Sequence, residues 1–100
     1  MVEIVKSSIF EQWLSHLKDE RGKAKIQARI RRLSLGNPGD VKPVGDGISE
    51  SRIDYGPGYR IYYLQHGMFL VVLLCGGDKS TQSKDIVKAK SIAQQWKGER

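Results

Sequence analysis

Three side chains in this chain of 100 residues have the chemistry of an anion site: Arg52, Arg60 and Lys79. Arg60 stands in YGPGYRIYY, residues 55–63, where a Gly-Pro-Gly turn runs into alternating tyrosines. Residues two apart on a strand share a face, so Arg60, Tyr62 and Leu64 project one way and Tyr59, Ile61 and Tyr63 the other. On the preceding run, ISESRIDY, Arg52 and Asp54 lie opposite Ile53 and Tyr55. A register that buries the apolar set brings Arg52 and Arg60 onto one polar face. Lys79 follows Gly76 and Gly77 in CGGDKSTQ, beside the expected first turn of a helix, whose unpaired amides favour anions. Three cations and a helix start suit a phosphate. The plainer alternative pairs Arg60 with Asp54, Arg52 with Glu50 and Lys79 with Asp78 as ordinary surface charge.

The elements that position these residues follow from periodicity. VEIVK near the start reads as a short strand, and Ser8 with Glu11 forms an S-x-x-E capping box that starts a helix near residue 8. Ile9, Phe10, Trp13, Leu14 and Leu17 recur at the helical period, and a second helix runs from about Glu20 to Leu35 with Ile26, Ile30 and Leu33 on one side. Gly36, Asn37 and Pro38 stop it. The short link between the helices predicts an antiparallel hairpin whose apolar stripes face one sheet surface and whose basic residues face outward. The segment GNPGDVKPVGDG reads as a loop, followed by three strands joined at Gly56-Pro57-Gly58, as a type II turn, and at His66-Gly67. A last helix, capped by Ser80 or Thr81, places Ile86, Ala89, Ala93 and Trp96 on one face. The expected fold is α+β, one domain over residues 1–100. Its order is βααβββα, with a mostly antiparallel four-stranded sheet, the helix hairpin on one face and the closing helix near the sheet edge or across its open side.

Composition narrows the function. Hydrophobic residues make up 39% and charged residues 28%, the profile of a domain that folds on its own. The longest apolar run, MFLVVLLC, is far too short to span a bilayer and reads as a core strand. MVEIVKSS lacks the features of a secretory signal, which predicts a cytoplasmic protein with no membrane contact. Cys75 is the only cysteine, so neither an internal disulfide nor a multi-cysteine zinc site can form; it reads as a small buried hydrophobe, and no metal is expected. A net charge of +6 favours polyanions or an acidic protein partner. The stretch RGKAKIQARIRR, residues 21–32, has six cations and no acid. Its Lys23, Lys25, Arg29 and Arg32 are candidates for RNA or ribosome contact, against the alternative of a solvated helix face. Tyr59, Tyr62 and Tyr63 are candidates for base stacking or core packing, with one or two accessible at most. His16, in the first amphipathic helix, and His66, in a turn, read as structural or exposed.

YGPGYRIYY, an apolar strand ending LLCGGDKSTQ and the helix KDIVKAKSIA together resemble the RelE/HigB superfamily of toxins, more narrowly its addiction module killer protein branch related to phage Gp49-like proteins. The likeness covers nearly the whole chain. It implies a RelE-like fold and a toxin of a type II toxin–antitoxin system, acting as a ribosome-dependent, metal-independent mRNA endonuclease without cofactor. The implied partners are a helix-turn-helix antitoxin, the ribosome and mRNA, with operator DNA reached only through the antitoxin complex. Arg60 matches the strand arginine that RelE-type nucleases hold near the scissile phosphate. Arg52 and Lys79 fall near the flanking basic positions, whereas Asp54 stands where RelE itself carries a basic residue. STQSKDIVKAK has neither the tyrosine of RelE-type toxins nor the histidines of HigB-type ones. RNA cleavage without a metal needs a base for the ribose 2′-OH, an acid for the 5′-oxygen and cations for the phosphorane-like transition state. The acid–base set stays open, between Lys79 as acid with Asp54 or Asp85 as base and groups supplied by the ribosome or mRNA. The alternatives are a ParE-like toxin that shares the fold and binds gyrase without nuclease activity, and an inactive protein that only binds its antitoxin.

Overall fold

A computed structural model describes residues 1–98. Five strands and three helices follow in the order β1 (Glu3–Lys6), α1 (Ser8–His16), α2 (Glu20–Ser34), β2 (Val41–Gly45), β3 (Ile48–Ile53), β4 (Tyr59–His66), β5 (Leu70–Asp78) and α3 (Gln82–Gly98), with one 3₁₀ turn, Lys79–Thr81, leading into α3. They build one compact α+β domain around a mixed sheet ordered β1-β5-β4-β3-β2, in which β1 runs parallel to β5 and all other neighbours are antiparallel.

The four-stranded βααβββα expectation is corrected by one strand. Val41–Gly45, inside the Gly-, Pro- and Asp-rich segment read as a loop, pairs with β3 at the sheet edge. An edge strand uses only one side of its hydrogen-bonding groups, so Pro43 is tolerated where a central strand would reject it. The reversal into β3 uses Asp46 (φ 56°) and Gly47 (φ 77°), the Asp-Gly pair that tight hairpins favour.

Both helical caps come from residues just before the helices. Ser7, not Ser8, caps α1: its Oγ accepts from the Phe10 amide at 3.0 Å and donates to the Leu74 carbonyl at 2.6 Å, tying the helix start to β5. Asp19 caps α2 by accepting from the Gly22 amide at 3.0 Å. Gly22 is required there, since a Cβ would press on the Tyr59 ring and the Asp19 carboxylate.

Strand alternation then sorts the apolar residues into two layers. Phe10 and Leu14 of α1 and Ile26 and Leu33 of α2 pack on Ile53, Tyr59, Ile61, Tyr63, Val71 and Leu73. Ala89, Ile92 and Ala93 of α3 cover Ile48, Tyr62, Leu64, Val72 and Leu74 on the other face. The closing helix therefore crosses the open side of the sheet. A β-bulge lies between these layers: Tyr62 pairs with Cys75 but Tyr63 with Leu73. With Leu74 left over, Leu74 and Cys75 both face α3. Gly76, Gly77 and Asp78 extend β5 beyond the apolar run that ends at Cys75. Glycine is needed because a Cβ on Gly76 would overlap the Trp13 ring and one on Gly77 the Asp85 carboxylate. Asp78, rather than Ser80 or Thr81, caps the 3₁₀ turn through the Ser80 amide at 2.8 Å.

Candidate functional site

The register of β3 on β4 places Arg52 directly opposite Arg60. Beyond them the chain reverses, with Gly58 donating its N–H to the Tyr55 carbonyl at 3.0 Å. Gly56, with φ 56°, thus takes the first central position ahead of Pro57. This replaces the expected type II turn led by Pro57. Gly58 also has positive φ, 79°, and its missing Cβ leaves room for the Lys79 side chain, whose Cβ lies 3.4 Å from where it would be. The result is an open cleft of about 460 Å³ lined by Arg52, Asp54, Gly56, Arg60 and Lys79 among others.

Two tyrosines fix Arg60 along its strand. Tyr59 donates to Asp19 at 2.8 Å and meets the Trp13 ring edge-on at 6.4 Å, so one neighbour of Arg60 is tied to the cap of α2. Two residues on, Tyr62 donates to Glu50 at 2.9 Å. The Glu50 Oε2 also accepts from Gln82 Nε2 of α3 at 2.8 Å. Glu50 is fully buried and its Oε1 has no partner. Burial first, and this carboxylate second, push the Tyr62 hydroxyl far above its ordinary titration range. Arg60 is thereby gripped from both faces while its guanidinium keeps its capacity: no ion pair reaches it among the described residues, and its Nε is buried without a partner.

The surface pairs of the plainer alternative do not form among the described residues. Arg52 pairs with Asp40, Nη2 to Oδ1 at 2.9 Å, and not with Glu50, which points to Tyr62 and Gln82 instead. Asp54 is exposed at the cleft wall, and Asp78 is spent on the turn after β5. Asp85 is 5% exposed, accepts from Thr81 Oγ1, and is absent from the cleft lining. Arg60, Arg52, Lys79 and Asp54 are brought together in the cleft lining, while the Asp85 carboxylate lies over Gly77, the strand partner of Arg60. Asp40 was missed from sequence, and Glu50 was read there only as a surface partner of Arg52; each is defined by a partner 12 residues away, and no local spacing marks such a pairing.

Of the basic helix residues, Lys23 is half-buried and Lys25 and Arg32 are exposed. Lys25 Nζ sits 5.2 Å over the Tyr55 ring. Arg29 corrects the outward expectation: it turns to the sheet, where Nη1 donates to Ser51 Oγ at 3.0 Å and the Arg52 carbonyl at 2.7 Å. Desolvation, and then Arg32, lower its pKa. Tyr59, Tyr62 and Tyr63 are all buried, so none offers a face for stacking. His16 Nδ1 donates to the Gln12 carbonyl at 2.7 Å, and His66 ends β4 with its ring 5.3 Å from that of Trp96. Cys75 is buried, and burial pushes its thiol up to about 12. No cluster of three His, Cys, Asp or Glu suited to a metal occurs among the described residues.

The Tyr59–Asp19 tie gives a pH prediction. The Gly22 amide, and then the Tyr59 hydroxyl, hold the Asp19 carboxyl below its ordinary value of 3.8. A depressed folded-state pKa means that the stabilisation is complete above the ordinary value and is lost as pH falls through the lower one. Asn at position 19 can still cap but carries no charge. The melting temperature of wild type should therefore exceed that of Asp19→Asn at neutral pH, and the gap should close below pH 3.8. A gap that is constant across this range would show that the charge plays no part.

No family model matches the chain. A protein of Haemophilus influenzae strain Rd that carries the description "Uncharacterized protein" is 57% identical over 94 residues, covering 94% of this chain and 95% of that one.

Proposed function

For a chain that belongs to the same family as this Haemophilus influenzae protein, we propose the function of a RelE-type toxin: a metal-independent endoribonuclease that cuts mRNA on the ribosome and is held in check by an antitoxin. The observation that carries this reading is Arg60, opposite Arg52, beside Lys79 and free of any carboxylate partner among the described residues. A guanidinium stays protonated and presents a planar fork, which suits it to bind phosphate and to stabilise charge that grows on phosphorus-bound oxygens. Arg52 is a weaker contributor, because Asp40 already shares its charge.

In the reaction, the ribose 2′-oxygen bonds to the adjacent phosphorus and the P–O5′ bond breaks. The products are a 2′,3′-cyclic phosphate and a 5′-hydroxyl end. Asp54, the exposed carboxylate of the cleft wall, takes the proton of the 2′-OH. Lys79 gives a proton to the departing 5′-oxygen. Asp85 is not given the base role, because its carboxylate is engaged by Thr81. A ribosome-bound message would supply the in-line geometry. Among the described residues no helix is long and apolar enough to cross a membrane, and the proposed site of action is the cytoplasm.

The test is induced expression followed by mapping of mRNA 5′ ends, with a gyrase supercoiling assay alongside. Growth arrest with new 5′-hydroxyl ends inside translated frames is the expected result. Arrest with intact messages and inhibited supercoiling would replace it with the ParE-like, gyrase-binding reading, and unaffected growth would sink both.

A further inference from the structure

The Arg60 cleft does not end at Asp54. A second cleft of about 300 Å³ is lined by Lys25, Ala28, Arg29, Arg32, Ile53 and Asp54. Ile53 and Asp54 line both, so the two meet where β3 ends, one reaching toward β5 and the other toward α2. The second cleft has its own construction. Arg29 forms its floor, fixed by Ser51 and the Arg52 carbonyl, while Lys25 is held over Tyr55 and Arg32 is exposed. No ion pair neutralises any of these three cations among the described residues.

Cations on both sides of one exposed carboxylate match a particular ligand. A compact anion would fill one cleft and leave the other empty. A strand with charges at intervals, separated by uncharged groups that can donate to Asp54, would fill both. Single-stranded nucleic acid has that form, with phosphates separated by sugars and bases that carry N–H and O–H groups. We propose that the Lys25–Arg32 cleft is a subsite for a phosphate flanking the one held at Arg60, so that one strand crosses over Asp54. This inference rests on reading the Arg60 cleft as a phosphate site. It reassigns Lys25 and Arg32 from a diffuse surface contact to the path of the substrate strand.

The experiment is fluorescence anisotropy with labelled single-stranded DNA, which lacks the 2′-OH and cannot be cut. One probe has about eight nucleotides, within the range that a single groove spans, and the other is a dinucleotide too short to reach both clefts. Lys25→Gln with Arg32→Gln should reduce the salt slope of the longer probe by about 0.7, the contribution of the one flanking phosphate. The dinucleotide slope should not change. Arg60→Ala should weaken both probes. Circular dichroism melts would establish that the variants fold, as expected for the exposed Lys25 and Arg32 and for Arg60, which has no ion pair among the described residues.

If Arg60→Ala weakens binding while the double variant leaves the longer probe's slope intact, the flanking subsite is overturned and the phosphate reading stands. Binding insensitive to all three positions, or no binding by wild type at low salt, would overturn both. A glutamate-rich peptide of equal charge that binds as tightly as the longer probe, with the same dependence on Lys25 and Arg32, would assign the cleft to an acidic protein segment and overturn the proposal.

Discussion

Arg60→Ala should lower cleavage of a translated mRNA by roughly 10² to 10³-fold, the scale for loss of one preorganised electrostatic group, while the protein remains folded. The second half of that expectation comes from the structure. Arg60 has no ion pair among the described residues, so truncation breaks no partner's contact, and the strand stays anchored by Tyr59 to Asp19 and by Tyr62 to Glu50. A purely structural arginine at the surface would contribute only about 0 to 1 kcal/mol through ion pairing and nothing to cleavage. Arg60→Lys separates charge from shape: lysine keeps the cation but loses the fork that meets two phosphate oxygens at once, so most activity should still disappear. Cleavage rates at matched folded fraction, with thermal melts of each variant, make the measurement. A folded Arg60→Ala that cuts at the wild-type rate would remove the arginine from the mechanism.

Glu50→Ala should be the most damaging single change to stability around the site, at roughly 2 to 5 kcal/mol, because it strips the acceptor from two buried or half-buried donors at once. Tyr62 Oη and Gln82 Nε2 converge on the same oxygen, Oε2, at 2.9 and 2.8 Å. This oxygen joins β3, β4 and the first turn of α3. Glu50→Gln can place its carbonyl oxygen where Oε2 lies and keep both bonds. Its amide would then replace Oε1, which has no partner now, so the cost should be much smaller than for Ala. Urea denaturation of the two variants tests this, and a Glu50→Ala protein within about 0.5 kcal/mol of wild type would show that the network carries no weight. If Glu50→Gln folds normally but cuts poorly, the network positions Arg60 as well as holding the sheet to α3.

Much of the site was legible in local pattern. The period-two alternation of YRIYYL assigned every side chain from Tyr59 to Leu64 to its observed face, since the pleat permits only two directions. The helical period of Phe10, Leu14, Ile26 and Leu33 likewise identified the residues that cover the sheet. Charge gave less. The six cations of residues 21–32 look equivalent in sequence, yet Arg29 is built into the sheet by Ser51 and the Arg52 carbonyl while Lys25 and Arg32 border a cleft. An arginine's long stem can reach solvent or a carbonyl, and sequence spacing alone does not say which.

The sequence by itself determined the face that Arg60 takes, the two helices before residue 35, the apolar β5 and the cation excess, because each depends on neighbours within a turn or a strand step. Only the tertiary structure decided that Arg52 lies opposite Arg60 with Asp40 as its partner, that Glu50 is buried under α3, that residues 41–45 close the sheet as an edge strand, and that a bulge at Leu74 turns two successive side chains to one face. These are matters of register and long-range pairing. A shift of one residue would reverse every face of a strand, and the burial of both apolar layers at once is what selects the register that brings the cations together.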